Sequence, residues 1–130
     1  DVAVCCLYAT APFVQSTDLR EGLRLLQAGA SYAMAVTRFD YPIQRALRRS
    51  EDGAVSMIDR AQMQVRSQDF EPAWHDAGQF YWGLAATWAS QMPVFDGRAH
   101  GVELPSSRVV DIDTPEDWDR AEALFQVLNR

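Results

Sequence analysis

The sequence contains no lysine. All 12 of its basic residues are arginine, against 18 Asp and Glu, so the 130 residues carry a formal net charge of −6. That balance argues against an extended nucleic-acid or anionic-membrane footprint, which needs bases clustered on one face. Long apolar runs are missing too: none reaches the roughly 18 residues of a membrane span, and no charged-then-apolar leader opens the chain. The only cysteines are the adjacent Cys5 and Cys6. Neighbours on a strand point to opposite faces, so no bridge between them is expected, and they lack the spaced partners of a zinc or redox site. They read as small buried residues of a reducing compartment. Repeats and low-complexity segments are absent. With 48% hydrophobic residues the chain can build one core, and at this length about two-thirds of the unfolded surface is buried without a disulfide or metal staple. One soluble, cytoplasmic domain is the expectation. The chain starts at Asp1 and runs straight into an apolar strand pattern, which suggests the C-terminal part of a larger α/β domain rather than a whole one.

Val2 to Tyr8 is apolar throughout, which suits a strand buried on both faces of a parallel sheet. Ala9-Thr10-Ala11-Pro12 is a loop signal. Asp18 with Glu21 resembles a capping box, Leu19, Leu23 and Leu26 share a helical face, and Gly29 stops the helix. Ser31 to Thr37 is a second apolar run, so the first 37 residues predict a right-handed βαβ unit. Ile43 to Arg49 and Ala54 to Ile58, separated by Glu51-Asp52-Gly53, predict a β-hairpin. The polar, irregular stretch Asp59 to Ala77 reads as an arm. Gly78 to Gly83 is an aromatic strand followed by a short helix from about Leu84 to Gln91, and Arg108 to Ile112 is a last strand. Thr114-Pro115-Glu116-Asp117 starts the final helix, with Trp118, Ala121, Leu124, Phe125 and Leu128 as its buried stripe.

Chemistry concentrates at Asp111-Ile112-Asp113. On a strand, positions two apart share a face, so both carboxylates would project where the strand ends and a helix begins. Ligands of α/β folds bind at that edge. Paired carboxylates suit a hard divalent cation such as Mg²⁺, which completes its shell with substrate phosphates and water. Complementing the helix macrodipole explains Glu116 and Asp117 but not Asp111, which lies on the strand side. The loop Tyr8 to Phe13, with Thr10 and Ala11, occupies the same edge, where an ordinary βα turn is the competing reading. Arg66 can clamp a carboxylate and Gln68 can pair with hydroxyl or amide groups, although a lone arginine is more often solvated or ion-paired. His75 beside Asp76 lacks a spaced Ser or Cys nucleophile and is not read as a catalytic base; neither is His100.

Taken together, Cys5-Cys6-Leu7-Tyr8-Ala9-Thr10-Ala11-Pro12-Phe13, Pro42-Ile43-Gln44-Arg45-Ala46-Leu47, Arg66-Ser67-Gln68-Asp69, His75-Asp76-Ala77-Gly78-Gln79-Phe80-Tyr81-Trp82-Gly83 and Asp111-Ile112-Asp113-Thr114-Pro115-Glu116-Asp117-Trp118 resemble the acylneuraminate cytidylyltransferase family, most of all its pseudaminic acid branch. The resemblance implies a Rossmann-like, glycosyltransferase-A-type nucleotidyltransferase α/β fold with residues 38–75 as an inserted β-hairpin dimerisation and substrate lobe. It implies that the anomeric 2-hydroxyl of a nine-carbon α-keto sugar acid attacks CTP, giving the CMP-sugar and pyrophosphate with Mg²⁺ as cofactor.

By the same resemblance, Asp111 and Asp113 match metal-binding aspartates, and Tyr8, Thr10, Ala11, Ala77, Gly78, Gln79 and Phe80 match substrate-contacting segments. Arg66 and Gln68 match the lobe that reaches the sugar carboxylate or the neighbouring subunit of a homodimer. Sialic acid enzymes carry Leu-Gln-Pro-Thr-Ser-Pro-Leu in the first loop and Glu-Asn-Gly-Ser-Phe-Tyr in the aromatic strand. Here Tyr8 replaces the glutamine, Ala11 the serine and Ala77 the asparagine, which favours a stereochemically different nonulosonic acid such as pseudaminic acid. The family's Gly-, Arg- and Lys-bearing nucleotide loop has no counterpart in these residues, so the chain by itself is expected to be inactive. A non-catalytic oligomerisation or binding half, and a Kdo-activating type of nucleotidyltransferase, are the alternatives.

Overall fold

A computed structural model describes all 130 residues, Asp1–Arg130. Strand β1 (Ala3–Leu7) leads to helix α1 (Ser16–Gln27) and strand β2 (Tyr32–Arg38); a two-stranded hairpin, β3 (Leu47–Arg49) and β4 (Val55–Met57), follows. The long strand β5 (Trp74–Leu84), the short helix α2 (Ala85–Ala89), strand β6 (His100–Leu104) and helix α3 (Pro115–Leu128) complete the chain. The main sheet has the order β1-β5-β2-β6, with β5 antiparallel to both β1 and β2, and β6 parallel to β2. It is therefore a mixed α/β architecture.

The expected strand, helix and strand are present in that order in one sheet, though β1 and β2 are not neighbours. β1 and β2 run the same way, but β5, an 11-residue strand from far along the chain, lies between them and pairs antiparallel with both. β1 is consequently an edge strand. Val2, Val4 and Leu7 are exposed rather than buried on both faces, and so is Cys6. The strand expected over Arg108 to Ile112 is also absent. The sheet position beside β2 is taken by β6, whose Val102 and Leu104 point into the core. Pro105 instead starts a 3-10 turn, where the Arg108 and Val109 amides bond back to Pro105 and Ser106 rather than across to a strand. Asp111 and Asp113 lie on the extended segment beyond that turn.

Helix α1 starts earlier than its Asp18 signal implies. Gln15 is the N-cap, and Asp18 sits three residues in, where its Oδ2 accepts the Gln15 amide at 3.0 Å. Gly29, at φ +108°, stops the helix as read from the sequence. The buried face is Asp18, Gly22 and Leu26, with Leu19 and Leu25 packed on the core. A Cβ on Gly22 would fall 2.6 Å from Trp82 Cδ1, so glycine lets α1 press onto β5.

The core divides in two: Ala35, Ala77, Phe80, Val102 and Leu104 between sheet and α1, and a smaller group of Phe13, Val110 and Ala121 under α3. The final helix begins as read, with Thr114 capping Pro115–Leu128. Its expected stripe is only half buried. Ala121 and Leu124 pack, whereas Trp118 is 57% and Phe125 51% exposed, because no other element lies over that face. The hairpin expected in the middle is present but short, since Ile43–Arg45 forms a 3-10 turn instead of strand. No helix is long and apolar enough to cross a membrane.

Candidate functional site

Three segments meet at the end of β1. The first is the loop that follows it, joined to β5 by a Tyr8 N–H to Gln79 O bond of 2.9 Å. The second is a wide bulge in β5: β2 pairs Met34 with Tyr81 and Val36 with Asp76, so Ala77 to Phe80 together oppose the single residue Ala35. Gly78 turns the chain there at φ +63°, a left-handed conformation that glycine adopts without the Cβ penalty. The third is the segment carrying Asp111, whose Oδ1 lies 3.3 Å from where a Gly78 Cβ would stand. A side chain at position 78 would therefore crowd the carboxylate as well as strain the backbone.

The bulge also fixes Asp76. Its Oδ1 accepts the Gly78 amide at 2.8 Å, and its Oδ2 accepts the Tyr81 hydroxyl. Tyr81 stacks on Tyr8, ring centroids 6.1 Å apart and planes 25° off parallel. The result is an anionic surface walled by two tyrosines. Its electrostatics show in two ionisations: loss of hydration, then the charges of Asp113, Asp76 and Asp117, raise Asp111 above the ordinary carboxylate value. Loss of hydration, then Asp76, Cys6 and Asp111, likewise push the Tyr8 phenol up. Concentrated negative charge of this kind disfavours a bare carboxylate and favours a bound cation.

Asp113 is presented by the start of α3. Asp117 Oδ2 accepts the backbone amides of Asp113 (3.2 Å) and Thr114 (3.0 Å), while Thr114 Oγ1 accepts the Asp117 amide at 3.2 Å. The Thr114 hydroxyl, donating to Asp117, is the main reason the latter's carboxyl titrates below its ordinary range. Asp117 is thereby occupied as a cap. Asp111 and Asp113 are exposed and lack such partners, so they have oxygens free for a ligand. No three His, Cys, Asp or Glu side chains converge as a closed ligand set. The donors fit an open site of the Mg²⁺ type, with water or phosphate completing the shell, better than an all-protein cage.

The remaining expected residues fall into three groups. Thr10, Ala11 and Phe13 line a groove of about 690 Å³ together with Ile112, Trp118 and Phe125. Ala77 and Phe80 are core residues whose side chains face away from the site, leaving their backbone to shape the bulge. Gln79 is 2% exposed; its Nε2 donates to Arg108 O at 3.4 Å and its Oε1 has no partner. Arg66 and Gln68 lie on the 3-10 turn Ser67–Asp69 and its N-cap, where Arg66 pairs with Asp69 at 3.1 Å. His75 is turned to Asp76 O and packs on Phe39.

Sequence reasoning missed Asp76, Tyr81 and Arg108 as site residues. For Asp76 the signal is present as Asp-Ala-Gly, an acid two residues before a glycine, where a side chain can cap the turn's amide. Arg108 carries no such local signal.

No family model matches the chain. It is 39% identical over 125 residues to the pseudaminic acid cytidylyltransferase of Campylobacter jejuni, a match covering 95% of this chain and 54% of that protein. It is 28% identical over 114 residues to a Helicobacter pylori protein named pseudaminic acid cytidylyltransferase and UDP-2,4-diacetamido-2,4,6-trideoxy-beta-L-altropyranose hydrolase, covering 86% of this chain and 22% of that one. To the N-acylneuraminate cytidylyltransferase B of Danio rerio it is 29% identical over 121 residues, 92% of this chain and 28% of the relative. The chain spans about half the length of the Campylobacter relatives it matches. Over almost its whole length, the chain is thus similar to cytidylyltransferases of the acylneuraminate type, the pseudaminic acid enzymes among them.

Proposed function

We propose that these residues form the cation- and sugar-binding portion of a nucleotidyltransferase that moves CMP from CTP to a nonulosonic acid, pseudaminic acid first among them. The observation that carries the reading is the meeting of Asp111, the Asp76–Gly78 bulge and the Tyr8 loop at one sheet edge, in a chain 39% identical to pseudaminic acid cytidylyltransferases. In the reaction the anomeric 2-hydroxyl attacks the α-phosphorus of CTP and gives up its proton to solvent. The new bond joins sugar oxygen to phosphorus, and the bond to pyrophosphate breaks. Asp111 and Asp113 would hold a Mg²⁺, which when bound neutralises phosphate charge. The backbone of Ala77 to Gln79 and the Thr10–Ala11 loop flank the sugar, and Tyr8 stands where sialic acid enzymes carry glutamine. That substitution and the alanine at 11 remove polar contacts to sialic acid, which supports a different stereochemistry at the sugar ring, whereas the side chain of Ala77 is turned into the core.

Residues 38–75 serve as the lobe of a homodimer; exposed Leu47, Val55, Ile58 and Met63 on and beside its hairpin support an apolar interface. The lysine-free chain has no phosphate cradle. Each preorganised donor at a reacting phosphate is worth about 3 kcal/mol, or roughly a hundredfold in rate, so the chain alone releases no pyrophosphate from CTP.

The test is a chimera in which these residues replace the 125-residue matching segment of the Campylobacter relative. Pyrophosphate release from CTP with pseudaminic acid and Mg²⁺ is expected, with loss of turnover on Asp113→Ala. Turnover that survives Asp113→Ala would overturn the assignment.

A further inference from the structure

Beneath the site lies an ion pair between a buried carboxylate and a largely buried guanidinium, which joins its segments. Arg108 Nη1 and Nη2 donate to Asp18 Oδ2 and Oδ1 at 2.7 and 2.8 Å, and Nη1 also donates to Phe13 O at 3.2 Å. The two side chains are only 13% and 9% exposed. Asp18 Oδ2 accepts the Gln15 amide as well, and Arg108 O accepts the Gln79 side chain. Phe13 ends the Tyr8 loop, Gln79 belongs to the β5 bulge, and Arg108 precedes Asp111 by three residues. Arg108 thus bonds the loop and the start of α1 through its guanidinium and the β5 bulge through its carbonyl, three residues before Asp111.

Stability alone gives weak grounds for such a pair. Burying two charges costs hydration that their attraction only partly returns, and apolar residues of similar volume often hold a core equally well. What apolar residues lack is direction. A planar fork fixes two carboxylate oxygens and leaves an N–H aimed at the Phe13 carbonyl, so loop, helix start and aspartate segment share one register. We infer that Arg108 is a positioning residue: its bidentate pair with Asp18 and its bond to Phe13 hold the Tyr8 loop against the Asp111–Asp113 segment in the geometry that binds the cation. The part concerning the cation rests on the function proposed above.

The experiment replaces the pair by an apolar one, Asp18→Leu with Arg108→Met, in the 130-residue chain. It compares thermal unfolding, Mn²⁺ affinity by electron paramagnetic resonance, and amide hydrogen exchange. A purely structural pair predicts all three little changed once the fold is retained. Positioning predicts a retained fold with Mn²⁺ affinity lowered about 10- to 100-fold, as for other groups that orient metal ligands. It also predicts faster exchange of the Tyr8 and Asp113 amides, while amides in the middle of α3 stay as they were. A folded variant with unchanged Mn²⁺ affinity overturns the inference.

If the double variant fails to fold, Arg108→Lys takes its place. It keeps the charge but supplies a point donor, and an unchanged affinity there is equally fatal. If the unaltered chain shows no Mn²⁺ binding that Asp113→Asn removes, the cation assignment fails on its own. The positioning role is then decided by Tyr8 and Asp113 exchange, which must accelerate at least about tenfold for it to stand.

Discussion

The sheet body and the arm between β2 and β5 are each organised around one arginine, by opposite means. In the body, Arg108 is largely covered and grips the buried Asp18 carboxylate with both nitrogens. In the arm, Arg45 lies nearer the surface and donates to carbonyls, Met63 O at 3.3 Å and Val65 O at 2.6 Å, with its guanidinium 5.1 Å from the centre of the Phe70 ring. The body pairs charge with charge and so fixes direction in a dry place. The arm uses one cation to gather the carbonyls of an irregular segment while Leu47, Val55, Ile58 and Met63 stay exposed. The first arrangement fixes the body's own geometry, while the second leaves the apolar surface that the homodimer proposed above would cover.

Removing each arginine should separate the two regions. Arg108→Ala leaves Asp18 buried and unpaired, and a loss of about 3–5 kcal/mol in urea unfolding is expected. A cost under about 1 kcal/mol would mean that the pair is solvated and that the body resembles the arm. Arg45→Ala removes a partly exposed cation–π contact and two surface bonds, for a global loss of about 1 kcal/mol or less. Its effect belongs in amide exchange around Met63 to Phe70, with the main sheet unaltered; a cooperative loss of the whole fold would show that the regions are coupled.

The smallest effect concerns Asp111. Its folded-state ionisation is raised, first by lost hydration and then by neighbouring acids, so the folded state favours the protonated form. The stability this gives is fully present below the unfolded value, about 3.9, and is lost as pH rises through the higher folded value. Asp111→Asn should therefore raise the melting temperature slightly at pH 7, and the gain should vanish in acid. A variant equally stabilised at both ends of that range would remove charge repulsion as the cause. For the same reason cation binding at this site should weaken as pH falls through the carboxylate range.

Features encoded by neighbouring residues were legible in the chain. The Thr114-Pro115-Glu116-Asp117 start of α3, the Gly29 stop and the Gly53 hairpin each depend on residues a few positions apart. The candidate site was legible as segments, Tyr8 to Phe13 and Asp111 to Asp113, but not as an assembly. Nothing local places β5 between β1 and β2, or turns Arg108 inward onto Asp18, 90 residues earlier. The apolar period of α3 marks a face at Trp118 and Phe125 without saying whether another element lies on it. The 108–112 run had strand composition, yet a strand needs a neighbour, and β6 already held the place beside β2.

The central claim is that Asp111 and Asp113 form the cation site at the edge shared by the Tyr8 loop and the β5 bulge. A Mg²⁺ titration followed by amide chemical shifts tests it most directly. Saturable shifts at Asp111 to Asp113 and at Gly78, abolished by Asp113→Asn, are the predicted result. Shifts confined to other acidic stretches such as Glu51-Asp52, or a response at Asp111 that survives Asp113→Asn, would contradict it.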